Sequence, residues 1–230
     1  MTKLTLRERF AVRFIFNERR VYQRWYGRFL VFGIDYGRLR RVITRVDNWL
    51  NWCLEWRREG AGLEQKAHSA LEKRYSASAV ALFHEAVACY HIGQHIFFID
   101  PEQKESAQEK ARECYRHAIS LYSPEERPIR FEIPFDGTVI PGYLHRARAP
   151  GRPLVIYVNG MDNIKEAENH FFGRRMVEAD FNFFAFDGPG QGEMWRSMKF
   201  ILDYHRAISA IIDWFEQHDG YGLDLERIAT

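Results

Sequence analysis

From Tyr36 to Arg58 apolar residues recur at Leu39, Val42/Ile43, Val46, Trp49/Leu50 and Cys53/Leu54, the three-to-four spacing of one helix with a single buried stripe. Gly60 and Gly62 are expected to end it. Ser76 and Ser78 then offer N-caps to a long apolar stretch in which Val80, Phe83, Val87 and Tyr90 share a face that Leu82 and Ile92 widen. Such a helix should be buried on more than one side. Asp100-Pro101-Glu102 stops it and starts a charged helix whose Ala107, Ala111, Cys114, Ala118 and Leu121 form a stripe of mostly small residues, suited to close helix packing. Residues 1 to about 122 thus read as all helical.

The pattern changes at Ser123-Pro124, where the period shifts towards two. Ile129 to Ile133 alternates as a strand, Asp136-Gly137 is a hairpin signal, and Val139 to Arg146 returns as a second strand interrupted by Pro141-Gly142. Pro153 to Val158 is apolar almost throughout, as a strand buried on both faces should be. A helix over Lys165–Ala179 and a strand over Phe181–Phe186 follow, so strand, helix and strand make a right-handed parallel crossover. A last helix is expected over Ser197–His218. The domains are read as 1–125, helical, and 126–230, part of an α/β core.

Composition is that of an ordinary globular chain, 46% apolar and 28% charged, which argues against disorder. Arginines break every apolar run of the first 25 residues, so no signal-peptide core or membrane span is read there, and a cytoplasmic location is the default expectation. The net charge of +2 hides an asymmetry, with 14 Lys/Arg against 6 Asp/Glu in residues 1–60. These arginines alternate with Phe, Val, Trp and Tyr, which favours a solvated helix face, or a contact in a homodimer, over nucleic acid or a membrane. Cys53, Cys89 and Cys114 are far apart and odd in number, and read as small buried hydrophobes. His91 and His95 have the i, i+4 spacing that can hold a metal, but no Glu follows His91 in the HExxH manner, so no metal and no cofactor is expected. The helices resemble a tetratricopeptide hairpin locally, yet no period repeats along the chain.

In open α/β sheets the ligand site lies beyond the carboxyl ends of the strands, which singles out the loops after Val158 and Phe186. The first runs from Asn159 to Glu166, with Gly160 allowing a tight turn that leaves backbone N–H groups at a helix mouth. The second, Asp187-Gly188-Pro189-Gly190-Gln191-Gly192-Glu193, is dense in glycine. It invites a nucleotide reading, but Gly-x-Gly-x-Gly is not the dinucleotide fingerprint and no Gly-Lys-Ser/Thr follows.

On these residues the span from about Phe131 to Thr230 resembles the first half of an α/β-hydrolase domain. Asn159-Gly160-Met161-Asp162 resembles the oxyanion loop after the third strand, and Phe186 to Glu193 the turn after the fourth. Lys165-Glu166, with a helical domain before the core, narrows the resemblance to the group of FrsA-like esterases, 2,6-dihydropseudooxynicotine hydrolase and fungal polyketide-shortening hydrolases. The resemblance implies an α/β fold with an all-helical N-terminal cap domain, and a serine hydrolase cleaving an ester, or a carbon–carbon bond beside a ketone, in a small molecule. Gly160 and Met161 would form half of an oxyanion hole, and Asp162, Lys165, Glu166, Tyr90 and His91 would order the loop or contact substrate. For Asp162, Lys165 and Glu166 an exposed helix-start charge pattern is an equal reading.

No serine of the chain has glycines two residues away on both sides, so the Ser/Asp/His triad is not within these 230 residues. In the resembled family an Asp-x-x-Arg-Ile stretch, here Asp224 to Ile228, leads into the fifth strand, whose end bears the nucleophile. The chain is therefore expected to be truncated and inactive alone, with an exposed sheet edge. His205 and His218 are read as helix surface, and Asp187 as a turn cap. The competing reading is a non-enzymatic helical interaction protein with a degenerate or partner-completed half-sheet.

Overall fold

In the computed structural model, which describes residues 5–7, 10, 24–218 and 220–230, the chain divides into two units, Met1–Leu121 and Tyr122–Thr230. Every regular element described in the first is a helix: α1 (Tyr26–Val31), α2 (Tyr36–Arg45), α3 (Trp49–Glu72), α4 (Ser76–Gln94) and α5 (Pro101–Ser120). The reading of the first 25 residues as free of a leader or span lies largely outside the described residues. Among those described, no helix is long and apolar enough to cross a membrane.

The single helix expected over 36–58 is two. The break falls at Val46–Asn48 because the Asn48 side chain accepts from Leu50 N at 2.9 Å while the Asn51 side chain accepts from Asn48 N at 3.2 Å. This reciprocal cap satisfies donors that a new helix start would leave bare. Nor do Gly60 and Gly62 end the second helix, which runs through both to Glu72. At Gly60 a Cβ would meet the Tyr90 ring at 3.0 Å, so this glycine lets α3 and α4 approach. The serine caps of α4 are also corrected: its cap is Tyr75, without a side-chain bond, and Ser76 is already helical. Arg74 takes a left-handed φ of 62° and Tyr75 N bonds Ala70 O, which turns the chain directly into the first residue of α4.

Helix α4 is buried on several sides, from Phe83 to Gln94 with one half-buried exception, and ends short of Asp100. Asp100 caps α5 through Glu102 N and Gln103 N, as expected. Ala107, Ala111, Cys114 and Ala118 are fully buried along its stripe, and α5 packs on α4. Within the basic segment, Arg38 reaches Asp35, Glu59 and Glu85, Arg41 reaches Glu59, and Arg45 reaches Glu55 and Glu59. The three cysteines are free and buried, and burial pushes their thiols up in pKa.

The second unit is a five-stranded mixed sheet, β1 (Ile129–Phe135), β2 (Thr138–His145), β3 (Arg152–Tyr157), β4 (Asn182–Phe186) and β5 (Leu223–Ala229), in the order β1-β2-β4-β3-β5. Asp136 and Gly137 both take positive φ, the turn that matches strand twist in a two-residue hairpin. β2 pairs β4 antiparallel, whereas β3 runs parallel to both β4 and β5.

Pro141-Gly142 does not interrupt β2: Pro141 stays opposite Glu132, and Gly142 leaves the space that the Phe184 ring fills, 2.2 Å from where a Cβ would stand. The segment expected to lead into a fifth strand is itself that strand. Its start is held by Gly151 N bonding Gly222 O at 2.7 Å, and Leu223, Leu225 and Ile228 pack against the core.

The expected helix over Lys165–Ala179 appears as α6 (Lys165–Glu168), a π-helical turn (Asn169–Gly173) and α7 (Arg174–Glu178). The last helix, α8 (His205–Gln217), begins eight residues later than expected, because the Met198 carbonyl accepts from Gly190 N instead of a helical partner. One face of the sheet packs Phe131, Ile133, Leu154, Ile156 and Phe184 against Ile211 and Phe215 of α8. On the opposite face Tyr157 lies 4.9 Å from Phe172 in the π-helical turn and 5.6 Å from Phe183. β3 is half-buried at Val155 and Tyr157, so it is less enclosed than its apolar sequence predicts.

Candidate functional site

The loop after β3 and the turn after β4 lie side by side at the carboxyl ends of these parallel strands, held together by side chains that the backbone alone would not bring there. Asp187, fully buried, accepts from Lys165 N and Lys165 Nζ, both at 2.8 Å, and from Glu193 N at 3.0 Å. Its role is thus to tie the two loops and cap a turn. Gly192 makes room for this carboxylate, Gly188 for the Tyr204 hydroxyl and Gly190 for the Phe200 backbone. The glycines that suggested a phosphate cradle are filled by the protein's own atoms.

Lys165 and Glu166 are 0% and 1% exposed, which overturns the reading of an exposed helix-start pattern. The Lys165 ammonium lies 2.8 Å from both Glu166 and Asp187 and also meets Glu193. Burial opposes its charge, yet the three carboxylates outweigh that and raise its pKa. Burial likewise opposes a charge on Glu193, but Lys165 and Arg130 bring its carboxyl down to about 2. For Glu166 burial dominates, and its pKa is raised. Glu166 Oε2 has no hydrogen-bond partner and Oε1 meets only the Lys165 ammonium, whose pull is smaller than the cost of burying the charge.

Met161 is 67% exposed, Gly160 exposed and Asp162 half-buried. Gly160 O accepts from Asn163 N at 3.0 Å, closing a turn. Among the described residues neither the Gly160 N–H nor the Met161 N–H has an acceptor. Beneath them the Asn159 side chain donates to Phe186 O at 2.8 Å, and Gln191 Nε2 donates to the carbonyls of Asn159 and Gly160. Asn159, Gln191 and Tyr204 were not picked out from the sequence. The available signal was a polar residue between two glycines in a loop that follows a buried strand.

Tyr90 and His91 belong to the first unit. The Tyr90 hydroxyl donates to Glu64 at 2.7 Å, and His91, 1% exposed, sits 5.1 Å from the Phe32 ring and 5.4 Å from the His95 ring. Burial holds the His91 pKa well below the ordinary value, so the ring is neutral near pH 7. His205 is exposed at the start of α8, while His218 stacks on Trp214 at 4.2 Å.

A family model described as FrsA-like esterase matches residues 44–197. The 2,6-dihydropseudooxynicotine hydrolase of Paenarthrobacter nicotinovorans is 30% identical over 199 residues, covering 82% of this chain and 50% of that protein. The alpha/beta hydrolase xenA of Xenoacremonium sinensis is 25% identical over 211 residues, covering 86% and 49%. Among solved structures, that of a 2,6-dihydroxy-pseudo-oxynicotine hydrolase superposes with a TM-score of 0.73 at 26% identity, over 88% of this chain and 56% of the other. The chain therefore spans about half the length of the curated relatives it matches.

Proposed function

The chain belongs to the FrsA-like esterase family and has an α/β-hydrolase fold, and from this premise we propose that it carries the oxyanion-binding side of a serine-type hydrolase. The substrate class is a small molecule with an ester, or with a carbon–carbon bond beside a ketone. The attacking serine, its histidine and its acid come from outside these 230 residues, since no serine here sits in a Gly-x-Ser-x-Gly turn. The observation that carries the reading is the pair of acceptor-free N–H groups at Gly160 and Met161, on the loop that follows β3.

Attack on a carbonyl carbon moves negative charge onto its oxygen, and donors already aimed at that position stabilise the charge without reorganising. The Met161 N–H supplies one donor in this proposal, and the residue after the nucleophile supplies the other. The ion pairs of buried Lys165 with buried Asp187 and half-buried Glu193 act through rigidity, fixing the loop that bears those donors to the turn after β4. Asp162, exposed enough to meet solvent, stays a candidate for contact with substrate.

A fluorophosphonate probe tests this. The 230-residue chain should neither be labelled nor hydrolyse p-nitrophenyl esters. A polypeptide joining it to the nucleophile-bearing half of an FrsA-like relative should be labelled at that serine, and Met161→Pro, which deletes the N–H, should lower its kcat by about 10²–10³. Labelling of a serine within this chain would overturn the proposal, as would full activity of Met161→Pro. A joined polypeptide that folds but stays unlabelled would favour the helical interaction protein instead.

A further inference from the structure

Gln191 is 2% exposed and spends its hydrogen-bonding capacity on the site loops and on Tyr204. Its Nε2 donates to Asn159 O at 2.9 Å and to Gly160 O at 3.0 Å. Its Oε1 accepts from Gly188 N at 3.0 Å and from the Tyr204 hydroxyl at 2.6 Å. These partners decide the orientation of the amide, because a flipped Gln191 would set its oxygen against two carbonyls and its NH₂ against a backbone N–H.

The consequence reaches the next atoms along the chain. All peptide bonds described are free of cis isomers, and in a planar trans peptide the N–H points opposite to the C=O. The peptide between Asn159 and Gly160 carries the Gly160 N–H, and the one between Gly160 and Met161 carries the Met161 N–H. One NH₂ group that draws both carbonyls towards itself therefore turns both N–H groups away from Gln191. We propose that Gln191 is the positioning residue of the oxyanion loop, aiming the Gly160 and Met161 amides, with Tyr204 holding its orientation; this rests on the hydrolase reading above.

Gly160-Met161 is the one Gly–Met pair in the sequence, so glycine labelled with ¹³C at its carbonyl together with ¹⁵N-methionine isolates a single Met161 amide signal. Gln191→Leu removes the donors at similar volume and leaves Gly160-Met161 the one Gly–Met pair. Gln191→Glu keeps the acceptor for Tyr204 and Gly188 but faces two carbonyls with oxygen. In both, the residual dipolar coupling of the Met161 N–H should change, and the Gly160 carbonyl shift should move upfield as it loses a donor, while the Met176 amide keeps its position. Unchanged Met161 coupling and Gly160 shift in either folded variant would overturn the proposal.

Should both variants fail to fold, Tyr204→Phe decides. It removes only the hydroxyl that orients Gln191, and the same two signals should move by a smaller amount; their constancy would overturn the proposal. The spectrum reports loop geometry and needs no turnover. A failed hydrolase reading would appear in the fluorophosphonate experiment alone.

Discussion

His145, at the end of β2, shows how the interior of the second unit treats a titratable ring. A Cβ at Gly173 would lie 2.9 Å from this imidazole, so the glycine admits the ring into the layer formed by the π-helical turn. Burial, reinforced by the neighbouring His170, lowers its pKa from 6.5 to about 4. Since the folded value lies below the unfolded one, the unfolded chain takes up the proton first. The contribution is intact above pH 6.5 and is lost as pH falls towards 4. Within that window the loss is about 1.4 kcal/mol per pH unit. Urea unfolding midpoints should fall between about pH 7 and about pH 5 in the parent and fall less in His145→Phe. Equal pH dependence in the two would refute this account.

Helix α3 separates two meanings of glycine that the sequence presents as one. Gly62 faces open space, whereas a Cβ at Gly60 would meet the Tyr90 ring at 3.0 Å. Alanine at Gly62 should therefore stabilise the chain by about 0.5–1 kcal/mol, the helical cost of glycine relative to alanine. At Gly60 the same substitution should yield no gain or a loss, because Tyr90 is anchored by its bond to Glu64 and cannot withdraw freely. Chemical denaturation of the two variants checks this, and equal gains would refute it. The same distinction holds in β2, where Pro-Gly looks like a break but serves to seat Phe184. An element's boundaries follow from local caps such as Asn48 and Asp100. The tolerance of an element for glycine follows from what packs against it.

As a whole, the second unit presents a sheet in which β1 and β5 each have one neighbouring strand among the described residues. Leu223, Leu225 and Ile228 of β5 are only half-buried. A strand with unpaired backbone groups and apolar side chains templates pairing with another chain. The 230-residue chain should therefore self-associate as its concentration rises, seen as a growing sedimentation coefficient; a constant monomer value over a wide range would refute this. The amphipathic periods of 2 and 3.6 residues, the Asp-Gly hairpin and the two post-strand loops were all legible along the chain, because each depends on neighbours within a few positions. So was the family, through Asn159-Gly160-Met161 and the Asp187–Glu193 turn. What only the tertiary structure decided is the burial of Lys165 and Glu166, the fifth strand at 223–229, and the grip of Gln191 on the loop some thirty residues before it. Those depend on which carboxylates, rings and carbonyls the sheet order brings together, and contacts across such separations leave no periodic mark in the sequence.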